Sequence, residues 1–127
     1  MSKDLTYEEE SRDSGTLFYR LSGWLYGTTT GYAFQEAVRK KVADGNRRFV
    51  IDLSGVQRID SCGIGILAAA IFSAQKAGAG VVLAALPDPI KRMLGLTMFL
   101  NHISTTDTVE AAFEQIESME LPSGQSS

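Results

Sequence analysis

The stretch Leu53-Ser54-Gly55-Val56-Gln57-Arg58-Ile59-Asp60-Ser61-Cys62-Gly63-Ile64-Gly65-Ile66 decides the fold. It is preceded by Phe49-Val50-Ile51-Asp52-Leu53, short, β-branched and nearly all apolar, as a central strand covered on both faces must be. It is followed by an apolar run that continues to Ala77, which predicts a helix packed into the fold and ended by Gly78 and Gly80. Between them, residues 54–60 read as a loop. Asp60 and Ser61 therefore stand at the start of a long helix, and Gly63 and Gly65 strip side chains from its first turn. An Asp-Ser pair at that place reads first as a cap. It also presents a serine hydroxyl where unpaired helix amides favour an anion, so a phosphate on Ser61 could be held without unfolding the helix. The two roles are compatible.

Working outward, the elements repeat a strand-helix rhythm. Leu5 and Tyr7, then Leu17, Tyr19 and Leu21, alternate about a polar turn and predict an N-terminal hairpin across residues 4–22. Residues 23–31 hold three glycines and three threonines, a loop with a helix cap at Thr28, Thr29 or Thr30. Phe34, Ala37, Val38 and Val42 form a helical stripe that Gly45 and Asn46 close. Beyond the central helix, residues 81–86 predict a second buried strand, Pro87-Asp88-Pro89 a turn opening a helix with Ile90, Met93 and Leu94 on one side, and residues 102–104 a weak strand. Thr106 or Asp107 would cap a last helix carrying Val109, Ala112, Phe113 and Ile116. The fold class is α/β, a mixed β-sheet with an N-terminal hairpin and about four α-helices packed on it, since each parallel crossover needs a helix-length connection. Residues 1–119 are expected to form a single domain and 120–127 a disordered C-terminal tail.

Composition bounds the chemistry. The 127 residues suffice for one core. A net charge of −3 points away from duplex nucleic acid. One Cys and one His leave no disulfide and little material for a metal site, so neither metal nor cofactor is expected. The acidic N-terminus does not read as a signal peptide, and residues 64–74 are too short to span a bilayer, which together predict a cytoplasmic protein without membrane insertion. Gly63-Ile64-Gly65-Ile66-Leu67-Ala68 fits the loose dinucleotide pattern, but an intervening loop and the lack of a suitably spaced acid argue that the match is accidental. No nucleophile elbow supports a hydrolase built on His102, and Cys62 reads as a small packed residue.

The Asp60-Ser61-Cys62-Gly63-Ile64-Gly65 segment, with Val81-Val82-Leu83-Ala84 and the Ile90-Lys91-Arg92-Met93-Leu94 helix, resembles the STAS domain of bacterial anti-sigma factor antagonists. The likeness covers roughly residues 5–117 in element order and is sharpest over 49–96. It implies a STAS-like fold and a non-enzymatic phospho-switch. Ser61 matches the serine phosphorylated by a partner anti-sigma kinase, Asp60 the preceding aspartate, and Gly63 and Gly65 the glycines. The unphosphorylated form would bind the anti-sigma factor/serine kinase and free a sigma factor. Two positions depart from the family pattern: Cys62 replaces a second Ser or Thr, and Gly23-Trp24-Leu25-Tyr26 replaces a Gly-Glu-Leu-Asp type loop. Trp24 and Tyr26 read either as interface anchors or as cover for the end of the core. In the STAS arrangement, the helix bearing Lys91 and Arg92 is expected beside the Ser61 helix, where the two cations could meet a partner's acids or the phosphate. The partner surface is thus expected to comprise Trp24, Tyr26, Asp60, Ser61, Cys62, Gly63, Lys91 and Arg92. A weak homodimer is compatible with the sequence. The alternative is a STAS scaffold subunit of a lipid-transport or signalling complex in which Ser61 is never phosphorylated.

Overall fold

The computed structural model describes residues 4–12, 15–97 and 99–119. In chain order the elements are β1 (Thr6–Ser11), β2 (Leu17–Leu25), α1 (Thr29–Ala43), β3 (Arg48–Ile59), α2 (Ser61–Lys76), β4 (Gly80–Ala84), α3 (Asp88–Gly95), a 3-10 turn at Phe99–His102, β5 (Ser104–Thr106) and α4 (Val109–Ser118). The five strands make one sheet in the order β1-β2-β3-β4-β5. Only the β1–β2 hairpin is antiparallel; every later pair is parallel and crosses over through helix. This is the expected mixed sheet with four helices.

Alternation along the strands divides the core into two layers. Leu17, Tyr19 and Leu21 of β2, Phe49, Ile51 and Leu53 of β3, and Val81 and Leu83 of β4 share one layer with Phe34 and Val38 of α1 and Ile66, Leu67, Ala70 and Ile71 of α2. Phe18, Val50, Val82 and Ala84 face the other way, onto Ala112 and Ile116 of α4. The sheet is therefore sandwiched, with α1 and α2 packed on each other over one face and α4 alone over the other. Arg48 holds α4 down: its guanidinium Nη1 donates to the carbonyls of Ile116 and, at 3.1 Å, Met119.

Three expectations need correction. Residues 54–59 are the second half of β3, not a loop, because β2 also continues, to Leu25, and pairs with them through two register shifts. The polar and glycine residues that disguised this half as a loop lie where only one side of the strand is covered. The weak strand falls at Ser104–Thr106, while His102 ends the preceding 3-10 turn and is exposed. α4 is capped by Thr108, whose hydroxyl accepts from Ala111 N, and not by Thr106 or Asp107. Among the α1 candidates Thr28 is the cap, accepting from Gly31 N at 3.2 Å. The tail placed at 120–127 lies outside the described residues, and among those residues no helix is long and apolar enough to cross a membrane.

Candidate functional site

The paired ends of β2 and β3 run past their neighbours. β1 pairs with β2 only from Ser22 back towards Leu17, and β4 pairs with β3 only over Arg48–Asp52. The two strands thus project as an arm that delivers Trp24, Leu25, Arg58 and Ile59 to one end of the molecule, where α1, α2 and α3 begin or pack.

At this end Asp60 is the N-cap of α2. Its Oδ1 accepts from Gly63 N at 2.8 Å, and its carbonyl accepts from Ile64 N at 2.9 Å. The cap consumes one of the helix's orphan donors and leaves those of Ser61 and Cys62 without an intrahelical acceptor. Ser61 and Cys62 are exposed. Among the described residues the Ser61 hydroxyl has no hydrogen-bond partner in the protein.

Gly63 is buried for a steric reason. A Cβ placed there would stand 1.9 Å from the carbonyl oxygen of Leu25 and 2.9 Å from Ile59 Cγ1, so only glycine lets the first turn of α2 lie on the end of β2. One ground first given against the dinucleotide reading falls, since no loop separates β3 from α2, but the lack of a suitably spaced acid still stands against it. Gly65 differs, with nothing within 4 Å of its hypothetical Cβ. It leaves a bare patch of helix beside Ser61.

The loop before α1 closes against this helix start. A Cβ on Gly27 would meet Cys62 Cβ at 2.9 Å, so the loop passes close to Cys62, yet Cys62 is exposed and not the packed residue expected. The N-terminal segment braces the loop: Asp4 Oδ1 accepts from Thr28 Oγ1 at 2.9 Å and from Leu5 N at 2.8 Å. Trp24 and Tyr26 are both half-buried and stand together, ring centroids 5.3 Å apart at 47°. Among the described residues neither is one of the partly buried side chains packed against the core, and each shows part of its ring to solvent.

The Arg58 guanidinium lies 5.2 Å over the Trp24 ring, a cation–π pair across the β2–β3 arm. Beside it a groove of about 600 Å³ opens between the outer edge of β3 and α3. Gln57, Arg58 and Ile59 form one wall, Ile90 and Met93 the other, with Trp24 and Tyr26 at the end. Sequence reasoning missed Gln57 and Arg58 because residues 54–60 read as a loop, and it placed Met93 only as part of a helical stripe. The clue was the apolar spacing of Val56 and Ile59 about two polar residues.

The helix bearing Lys91 and Arg92 does not lie along the Ser61 helix as expected. α3 packs on β3, whereas the helix packed along α2 is α1. Lys91 and Arg92 are exposed and do not line the groove; at 100° per residue they turn away from the side that carries Ile90 and Met93. The structure thus gathers Trp24, Tyr26, Asp60, Ser61, Cys62 and Gly63 at one end. Among the described residues no cluster of three His, Cys, Asp or Glu side chains has a metal-holding arrangement.

Comparison with solved structures places this architecture. An anti-sigma factor antagonist from Mycobacterium paratuberculosis is 28% identical, with 93% of this chain matched to 98% of that one at a TM-score of 0.75. The anti-sigma factor antagonist SpoIIAA in its unphosphorylated form is 14% identical, with 90% of this chain on 100% of that one at 0.73. The murine anion transporter Slc26a9 in its inward-facing state contains the same fold in 23% of its chain, which 93% of this chain matches at 14% identity and a TM-score of 0.71. The STAS domain family model matches residues 9–112, and with the strand order, the Asp60 cap and the glycine-bared helix start, it shows that this chain belongs to the STAS domain family.

Proposed function

We propose that this protein is an anti-sigma factor antagonist, a non-enzymatic regulator that in its unphosphorylated form binds an anti-sigma factor/serine kinase and releases a sigma factor. Phosphorylation at Ser61 ends the binding. The observation that carries the reading is Ser61 itself, an exposed hydroxyl with no partner among the described residues, next to a cap that Asp60 already supplies. Its modification breaks no bond of the fold. The likeness to antagonists of both 28% and 14% identity supports the assignment.

The physical switch is a change of surface, not of structure. A phosphate adds about −1.5 to −2 charges beside the Asp60 carboxylate. The free amides of Ser61 and Cys62 stabilise that anion by only about 0.3–1 kcal/mol. The surface meanwhile turns from a bare helix end, flattened by Gly65, into a doubly anionic knob that a close-fitting partner cannot cover without desolvating it. The partner surface in this reading comprises Ser61, Cys62 and Gly65 with Trp24 and Tyr26, and the protein works in the cytoplasm.

A second reading is favoured by one observation. Trp24 and Tyr26 stand where the antagonist pattern has acids, and the fold also occurs within an anion transporter. In that reading the domain is a scaffold subunit of a transport or signalling complex and Ser61 stays unmodified. Incubation with each candidate anti-sigma kinase of the same genome and ATP, followed by mass spectrometry, separates the two. The antagonist reading expects phosphate on Ser61 and weaker capture of the kinase by Ser61→Asp. No phosphate from any kinase, with equal binding by wild type and Ser61→Asp, overturns it.

A further inference from the structure

The outer edge of β3 beyond Asp52 is open. β4 ends opposite Asp52, and among the described residues no backbone hydrogen bond joins residues 54–59 to any element other than β2. In a sheet such an edge presents a row of free amide and carbonyl groups, a template for one more strand. Here α3 stands across from the edge instead of a strand, and the groove of about 600 Å³ lies between them. A strand edge facing a helix across a groove is the geometry in which extended peptides dock by strand addition.

The side chains specify what such a segment carries. Arg58 and Ile59 are successive strand residues and point to opposite faces, one exposed, the other buried. Arg58 is stacked on Trp24 and, among the described residues, forms no ion pair with a carboxylate. Among the described residues that line the groove it is the one that is charged. A strand laid along this edge sets one side chain next to Arg58 and the following one over Ile59, Ile90 and the exposed Met93.

We propose that the β3–α3 groove binds an extended segment of a partner protein by strand addition, with an acidic side chain paired to Arg58 and an apolar neighbour seated on Ile59 and Met93. The site shares Trp24 and Tyr26 with the surface around Ser61 but goes beyond the phospho-switch: it holds whether or not Ser61 is ever modified. Its position, two residues before Ser61 in the chain, lets a segment bound here and a body docked on the α2 start belong to the same partner.

Trp24, the single tryptophan of the chain, reports the site directly. The probes are an acetylated and amidated peptide Glu-Val-Glu-Ile-Glu, the same peptide with Lys for every Glu, the same peptide with Pro for Val, and hexanoate. With the unphosphorylated full chain, the acidic peptide is expected to change Trp24 fluorescence saturably and to shift the backbone NMR signals of Gln57, Arg58 and Ile59. The Lys and Pro peptides are expected to bind at least tenfold more weakly, because one reverses the charge and the other removes a backbone donor. Arg58→Gln, a change at an exposed side chain, is expected to weaken the acidic peptide by a similar factor. Four results overturn the proposal: no binding of the acidic peptide at millimolar concentration, equal binding of the Lys or Pro peptide, hexanoate binding as tightly as the peptide, or signal shifts confined to residues outside the groove. None depends on a kinase, so failure here leaves the Ser61 reading untouched.

Discussion

The carbonyl oxygen of Leu25 stands 1.9 Å from where a side chain on Gly63 would begin, so the end of β2 and the first turn of α2 are in backbone contact. This one approach sets Trp24 and Tyr26 on either side of Leu25 and Ser61 within the same end of the molecule. It also gives two neighbouring glycines opposite roles. Gly63→Ala cannot be accommodated by a side-chain shift alone, because the nearest obstructing atom, the Leu25 carbonyl oxygen, is main chain, and overpacking of this kind costs about 1–3 kcal/mol or more. Gly65→Ala meets open space in a helix and should stabilise by about 0.5–1 kcal/mol. Urea denaturation of the two variants is expected to move the midpoint in opposite directions. Two shifts of the same sign would mean that the α2 start does not rest on β2 as described.

The Asp60 carboxylate is a cap before it is anything else. Asp60→Ala should lose about 1 kcal/mol, because Gly63 N is left without its acceptor. Asp60→Asn keeps an oxygen on the same amide and should lose only a few tenths. If Asp60 also faces a partner through its charge, the Asn variant will separate the two roles, keeping its thermal midpoint while its binding changes. Calorimetry beside a binding assay reads both.

Much of this was legible beforehand, and the failures share a cause. Strands whose two faces are both buried, such as 49–53 and 81–84, announce themselves by unbroken apolar sequence. Helices one residue thick against the sheet announce themselves by spacing, as Phe34, Val38 and Val42 do. The Ser61 helix start could be read because capping chemistry is local. The outer half of β3 could not be, since its stability comes from β2, more than thirty residues earlier, and its sequence is that of a half-exposed edge. Trp24–Arg58 is likewise a pairing of register, and no local pattern encodes it. The placement of Lys91 and Arg92 failed on a matter of which helix is whose neighbour, which follows from the sheet order and not from the α3 sequence.

Arg48 has no motif to advertise it, yet it joins the sheet to the C-terminal end of α4. A guanidinium there satisfies two carbonyls and sits at the negative end of the helix dipole. Arg48→Met keeps the aliphatic packing and removes both bonds. It should cost on the order of 1–2 kcal/mol and raise hydrogen exchange selectively in residues 112–118. Uniform exchange through the whole chain would assign the loss to the sheet instead.

Tyr19 gives the fold an alkaline limit. Its ring is buried against Tyr7 and Phe34, and its hydroxyl donates to Glu9 Oε1 at 2.8 Å, while Lys41 Nζ reaches the other oxygen of Glu9 at 3.4 Å. Burial, and then the Glu9 carboxylate that accepts its proton, push the phenol pKa well above its ordinary value. The folded state therefore holds this proton more tightly than the unfolded one. Below the unfolded tyrosine pKa of about 10 the group is neutral in both states, and its contribution to stability is full and independent of pH. Above about 10 the unfolded chain releases the proton while the folded chain retains it, so stability falls with each further rise in pH until the folded phenol also titrates. Tyr19→Phe should lose about 1 kcal/mol at neutral pH with the hydrogen bond and then decline less steeply than wild type between about pH 10 and 11. Comparing urea midpoints of the two proteins from pH 7 upward cancels the remaining tyrosines and lysines, and parallel alkaline slopes would place the limiting proton elsewhere.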